Sequence, residues 1–336
     1  MAATLKDVAE RAGVSRSAVS RTFTDGASVS DKMRRKVEKA ADELGYQPNF
    51  LARSLTTRRT KLIGLVSDNF TNPFFLHVFD LFTSELQKRG LRPLLVNISG
   101  QHDPVDTAQM LRQYSVDGVI VASSTVEKGF VDAFRKVRLP EVYTLSRHSC
   151  SPDVNIVGID NEAAGAFAAE VLIGRGYKRI GFMGGPEIAT STMDRFVGFS
   201  RVMSRHPELE FTHSFAEAYS FDAGRDEMLR LLKDPPAEAY FGADDVISIG
   251  ALSAMHSHGL KVPDDVGLMG LNDLEMAGWA NINLTTIRQP VRQIVDSSVE
   301  LIATALEESE EDHVPQARLF PAKLVERGTL RPPHTG

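Results

Sequence analysis

The sequence predicts a small all-α helix-turn-helix domain and a linker, followed by a larger two-lobed α/β domain with parallel sheets. Three observations predict it. Residues 4–46 hold three stretches with helical apolar spacing, each with its own start and stop signals. From Lys61 onward, short apolar runs of strand length alternate with helical patterns in two successive series. Charge divides at the same place. Residues 1–61 carry 13 Lys/Arg against 7 Asp/Glu, a net of +6, whereas residues 62–336 carry 25 against 37, a net of −12. A basic head on an acidic body fits a phosphate-binding module joined to something that avoids nucleic acid.

In the head, Thr4 is a cap for a first helix, with Asp7 as its capping-box partner, and Leu5, Val8, Ala9 and Ala12 follow at helical spacing before Gly13. Ser15 caps a second, short helix. Ala18 and Val19 face inward there, and Arg16, Ser17 and Arg21 outward. Ser30 caps a third, whose stripe is Met33, Val37, Ala40, Ala41 and Leu44. Gly45 supplies a left-handed stop, and Pro48 prevents continuation. Two helices joined by a short Gly-containing turn make a helix-turn-helix. The alternative is a three-helix domain with a solvated basic face.

Residues 47–61 are the linker. Phe50 to Leu55 are helix-compatible but too few to be helical alone in water, so folding upon DNA binding is expected. A plain linker whose Leu packs on the body is the other reading.

The body begins with the strand KLIGLVS and a helix over 75–89 with Val78, Phe79, Phe82 and Leu86 inward. PLLVNI, GVIVAS, EVYTLS and NIVGID are strands, with helices over 105–114, 126–137 and 161–175. A second series follows: RIGFMGG, HSFAEAY, AYFGA and VGLMGL, with helices over 191–205, 223–232 and 247–259. The chain is expected to re-enter the first lobe at TTIRQPV, continue as a helix over 292–306 and end in a strand near ARLF. This gives lobes of 62–160 plus 290–320 and 161–289 plus 321–336, after a head of 1–46. Ligands bind beyond the carboxyl ends of parallel strands, which places a site in a cleft between the lobes. At those ends stand Asp68, Phe74, Phe75, Arg147, Asp160, Arg195, Tyr219, Asp244 and Asn272. Phe74 and Phe75 serve equally as lobe core, Asp160 also reads as the cap of the next helix, and Arg147 also reads as an ion-pair partner. Trp279 is expected in the core, with a place on the cleft wall as the alternative.

LKDVAERAGVSRSAVSR, then SxxxRxKVxxAAxELGYxPN, then NFLARSLTTRRT resemble the LacI/GalR family of bacterial transcription regulators, in order and at the family's spacing. The resemblance covers nearly the whole chain. It implies that the second helix enters the major groove of an operator and that the hinge enters the minor groove with Leu55 as its wedge. The DNA-contacting set it implies is Ser15, Arg16, Ser17, Arg21, Ser30, Asn49, Arg53 and Leu55. The body then resembles a type I periplasmic-binding-protein-like domain. The Arg of RxxGF (Arg195), Tyr219, Asp244 and Asn272 would line a pocket for a sugar-like effector. Asp244 stands where the family commonly has Asn, and Asn272 where it has Asp.

The resemblance implies a repressor that binds double-stranded operator DNA as a homodimer and is released by a small sugar or related metabolite. The alternative is a co-repressed or activating regulator responding to a sugar acid, a phosphorylated intermediate or a purine. No leucine-heptad tail follows Arg331, which favours a dimer. One cysteine, Cys150, and no apolar signal core or membrane span lead to a cytoplasmic expectation. No Gly-rich phosphate loop, GxSxG or metal-ligand spacing occurs, so no enzyme, cofactor or metal is expected.

Overall fold

The computed structural model describes residues 3–23, 27–47, 59–100, 103–123, 125, 128–145, 152–307 and 314–333. The chain divides into two units, Met1–Thr60 and Lys61–Gly336.

In the first unit, α1 (Leu5–Ala12) starts at a capping box. Thr4 Oγ1 accepts from the Asp7 amide, and the Thr4 amide donates to the Asp7 carboxylate at 2.8 Å. Gly13, at φ +58°, ends it in the left-handed region that glycine enters without a steric cost. Ser15 caps α2 (Arg16–Thr22), and Ser30 caps α3 (Asp31–Leu44), which Gly45 stops. Val8, Ala9, Ala12, Val19, Val37, Ala40 and Ala41 form the core. Leu44 departs from its expected inward place. It is 37% exposed, because Tyr46, beyond the glycine stop, packs against the core instead.

The second unit is built on two six-stranded sheets wound in the same order. One holds β1 (Leu62–Ser67), β2 (Arg92–Asn97), β3 (Gly118–Ala122), β4 (Glu141–Thr144), β5 (Asn155–Gly158) and β11 (Ala317–Leu319), arranged β11-β5-β4-β3-β1-β2. The other holds β6 (Arg179–Gly184), β7 (Glu210–Phe215), β8 (Ala239–Gly242), β9 (Gly267–Leu271), β10 (Thr285–Arg288) and β12 (Lys323–Val325), arranged β12-β10-β9-β8-β6-β7. All neighbours are parallel except β10 and β12. The helices between them are α4 (Pro73–Lys88), α5 (Pro104–Gln113), α6 (Lys128–Lys136), α7 (Asn161–Gly174), α8 (Thr190–Met203), α9 (Phe221–Leu231), α10 (Asp245–Ser257) and α11 (Val291–Glu307). Among the described residues, no helix is long and apolar enough to cross a membrane.

Two expectations change. TTIR does not re-enter the first lobe. It pairs with β9 in the second sheet, where the Thr286 hydroxyl donates to Asp245 at 2.6 Å. The crossing falls at Gln289 and Pro290, and α11 then packs on α4 and on β3, β4 and β5. The carboxyl end supplies two short strands rather than one, ARL to the first sheet and KLV to the second.

Helices in the second lobe approach each other through glycines. A β-carbon on Gly165 would lie 1.9 Å from the carbonyl oxygen of Arg195, and one on Gly198 would lie 1.9 Å from that of Glu162. α7 and α8 therefore cross backbone to backbone. α9 and α10 do the same, with Gly224 facing Ile247 and Gly250 facing Phe221. The aromatic core fits beneath α8, where Phe199 stacks on Phe241 at 5.8 Å and meets Phe182 edge-on.

Asp245 ties this lobe together at the start of α10. Its carboxylate is fully buried and accepts from the Leu274 amide at 2.8 Å and from Thr286. Burial pushes its pKa up to about 7, against the lowering effect of those donors.

Two outcomes follow. Gly→Ala inside an unhindered helix stabilises by about 1 kcal/mol. Gly165→Ala is expected instead to destabilise by about 1–3 kcal/mol, as overpacking does. Gly174→Ala, whose added carbon meets nothing within 4 Å, is the control and should stabilise. Urea titration reads both. For Asp245, the raised pKa means that the folded state holds the proton more tightly. The stability from this group is fully present below the unfolded pKa of about 4 and is lost as pH rises through about 7. The melting temperature of Asp245→Asn should therefore decline less between pH 5 and pH 8 than that of the unsubstituted protein. Parallel profiles would contradict this.

Candidate functional site: the inter-lobe cleft and the exposed face of α2

The inner end of the cleft is a cavity of about 30 Å³, room for a water molecule or so. Asn72, Phe74, Phe75, Leu145, Ser191, Arg195, Tyr219, Asp244, Asn272 and Gln289 line it. Strand ends and helix starts from both sheets supply these residues, as the winding of parallel strands requires.

Arg195 is the centre of the group. It projects from the first half of α8 and is 6% exposed. Its Nε donates to Asn161 Oδ1 at 2.9 Å and its Nη1 to the Ala243 carbonyl at 2.7 Å. Both acceptors are neutral. Burial lowers its pKa, opposed by Tyr219, Asp244 and Asp194. Its hydrogen bonds engage only part of a guanidinium with five donor hydrogens. The sequence RxxGF thus has a physical reading here. Arg195 reaches the cavity, Gly198 permits the crossing with α7, and Phe199 anchors the core. Asn161, the first residue of α7, is brought to Arg195 by that same crossing.

Tyr219 turns its hydroxyl to Thr192 Oγ1 at 2.6 Å and Ser191 Oγ at 3.3 Å. Phe74 and Phe75 meet edge to face with centroids 5.6 Å apart. They are both cavity wall and first-lobe core, so the two readings of these residues coexist. Asp244 is buried and caps α10, its Oδ1 accepting from the Val246 amide at 2.8 Å. Burial raises its pKa. Asn272 sits at φ +122° and Leu145 at φ +61°, backbone positions that an L side chain occupies at a cost. Two hydrogen bonds, to Asp244 at 2.9 Å and from Gln289 at 2.6 Å, hold the Asn272 side chain.

The other expected cleft residues do not join this group. Asp68 accepts from the Thr125 hydroxyl, and Asp160 caps α7 by accepting from the Ala163 amide at 2.9 Å. Neither lines the cavity. Arg147 lies outside the described residues. Asn72, Leu145, Asn161, Ser191 and Gln289 were not singled out by sequence. Asn before Pro73 is a helix-start signal that marks Asn72, and Gln289 directly follows a strand end. Trp279 is not in the core and takes the place of the alternative reading, on a crevice wall. It is 51% exposed and lines an outer crevice of about 830 Å³ together with Phe74, Asn272 and Gln289. Ala277 and Leu284 fill the core at that turn, and the Trp279 backbone closes it by accepting from Ile282 and Asn283. Among the described residues, no cluster of His, Cys, Asp and Glu could hold a metal ion.

On the first unit, Ser15, Arg16, Ser17, Arg21 and Ser30 are all exposed. Arg16 and Ser17 open α2, directly after its Ser15 cap, and Val19 and Thr22 bury the opposite side. Ser15 and Ser30 spend their hydroxyls on capping, at 3.2 and 3.4 Å. Asn49, Arg53 and Leu55 lie outside the described residues.

Comparison with known proteins joins these two sites. Residues 4–49 match the model for bacterial regulatory proteins of the lacI family, and residues 169–330 match a periplasmic binding protein-like domain. The HTH-type transcriptional repressor PurR of Vibrio parahaemolyticus is 31% identical, covering 98% of this chain and 99% of its own. The HTH-type transcriptional repressor CytR of Escherichia coli is 30% identical, covering 98% and 97%. Among solved structures, the lac repressor dimer bound to operator and the anti-inducer ONPF superposes with a TM-score of 0.87 at 25% identity. It covers 98% of this chain and 99% of that one. The transcriptional regulator CelR in complex with cellobiose gives 0.73 at 28% identity over 97% and 99%. An N-terminal unit with capped helices, two sheets wound in one order and full-length likeness to these regulators have one meaning: the chain belongs to the LacI family of bacterial regulatory proteins.

Proposed function

We propose that this chain is a cytoplasmic, non-catalytic transcription repressor that binds a palindromic operator as a homodimer and is released by a small sugar-like effector in the inter-lobe cleft. The observation that carries the reading is α2. It has a serine cap, a buried Val19 and an exposed Arg16–Ser17–Arg21 edge, on a unit whose net charge is opposite in sign to that of the rest of the chain. That edge has the donors needed for guanine O6/N7 in the major groove. A dimer engages two half-sites, so the operator mirrors the protein's two-fold symmetry.

The domain division 1–46, 47–61, 62–160 plus 290–320 and 161–289 plus 321–336 assigns one task to each part. The head reads bases, with Asn49, Arg53 and Leu55 of the hinge adding minor-groove contacts. The lobes hold the effector between Phe74, Phe75, Arg195, Tyr219, Asp244 and Asn272. An aromatic wall stacks on a ring face, and the unspent donors of Arg195 bond to ligand oxygens. The likeness to the lac repressor bound to operator and an anti-inducer, and to CelR in complex with cellobiose, supports a small-molecule effector. Effector binding between the lobes and operator binding at the head are linked by a coupling of about 1–3 kcal/mol, the usual scale.

Selection of duplexes from a random pool by the full-length protein is expected to recover two-fold symmetric sites. A recovered pool without any consensus contradicts the operator reading. On the selected site, Arg16→Ala should relax preference at one symmetric position, at about 1–3 kcal/mol per contact. Equal losses on selected and random DNA would assign Arg16 to phosphate alone.

A further inference from the structure

The cavity is bordered by a continuous chain of buried amide and carboxylate groups running from one lobe to the other. Asn72 Nδ2 donates across the cleft to Asp244 Oδ2 at 3.4 Å. Asn272 Nδ2 donates to the same oxygen at 2.9 Å, and Gln289 Nε2 donates to Asn272 Oδ1 at 2.6 Å. All four residues are at most 6% exposed. Asn72 belongs to the lobe of the first sheet, Asp244 and Asn272 to that of the second, and Gln289 to the crossing between them.

The two residues that meet across the cleft are both helix caps. Asn72 Oδ1 accepts from the Phe74 amide at 2.9 Å at the start of α4, and Asp244 Oδ1 accepts from Val246 at the start of α10. Helix N-termini carry partial positive charge, which favours an anion close by. One carboxylate here serves the N-terminus of α10 directly and reaches that of α4 through the amide of Asn72. Both Asp244 oxygens are thus occupied by protein donors. The exchange of Asp and Asn between positions 244 and 272 has a structural consequence: the carboxylate stands where Asn72 can reach it.

We propose that Asp244 acts as an inter-lobe clasp: its carboxylate, held by Asn72 from the facing lobe and by Asn272 from its own, ties the two lobes together. Parting of the lobes requires Asn72 to release Asp244. Asp244 is then a positioning residue for the lobes, and its bond to Asn72 sets the population of the open form. This inference rests on the cleft being the effector site but not on the operator reading, and its test uses neither DNA nor effector.

Single-molecule energy transfer on the full-length protein measures the opening. Fluorophores go on Ser99→Cys, beyond the end of β2, and Glu217→Cys, beyond the end of β7, both exposed, with the native Cys150→Ser. Mixing with excess unlabelled protein leaves one labelled chain per assembly. Asn72→Asp keeps the cap of α4, because Asp and Asn cap equally well, but sets a second carboxylate against Asp244. It is expected to move most molecules from a short-distance to a longer-distance population. Adding Asp244→Asn restores an amide–carboxylate pair with its direction reversed and should return most molecules to the short distance. A capping role alone predicts no shift in the single variant. An unchanged distribution in Asn72→Asp, or a double variant as open as the single, overturns the clasp.

Discussion

The placement of one buried guanidinium organises the effector unit. Taking a charge out of water costs several kcal/mol unless it is hydrogen-bonded and electrically compensated. Arg195 meets that requirement through Asn161, the Ala243 carbonyl and nearby carboxylates. Three of those partners come from three different places in the fold. Asn161 comes from α7, Ala243 from the end of β8, and Asp244 from the start of α10. The backbone crossing of α7 and α8 at Gly165 and Gly198 brings the first of them within reach. Without that close approach the helices would separate by at least a side chain's width, and the arginine would lose its first acceptor.

The cleft concentrates other groups that are unfavourable in isolation. Asn272 holds a backbone conformation that costs on the order of 1–3 kcal/mol, and Asp244 and Asp245 are both buried with raised pKa values. Packing elsewhere compensates: the aromatic cluster under α8 and the paired strands of both sheets fix these residues in place. Such strain at the junction of two lobes suits an element with two arrangements of similar energy, which a small ligand can bias.

Much of this was legible in the sequence because the signals are local. The three caps and two glycine stops of the head occupy neighbouring positions, and the observed helices begin and end on them. Alternating strands and helices gave the two sheets, and RxxGF marked Arg195. What escaped depends on tertiary placement. The bond between Asn72 and Asp244 joins residues 172 positions apart. A four-residue strand such as TTIR does not declare which sheet it joins, and it pairs with the second. Trp279 is large and apolar, which favours the interior, yet smaller neighbours occupy the interior at that turn and it stands on a crevice wall. Asp68 and Asp160 have the right chemistry at strand ends, but spend it on Thr125 and on the cap of α7.

The two units divide the physics of a regulator. The head presents a fixed, capped surface with excess positive charge, and the body presents a cleft whose geometry depends on how helices approach one another. The central claim is that the glycine crossing of α7 and α8 sets the position of Arg195. A crystal structure of Gly198→Ala tests it most directly. The account predicts α8 displaced from the Glu162 carbonyl, with the Arg195 bonds to Asn161 and to Ala243 lost or re-formed with other partners. Both bonds retained at their present lengths beneath an unmoved α8 would contradict it.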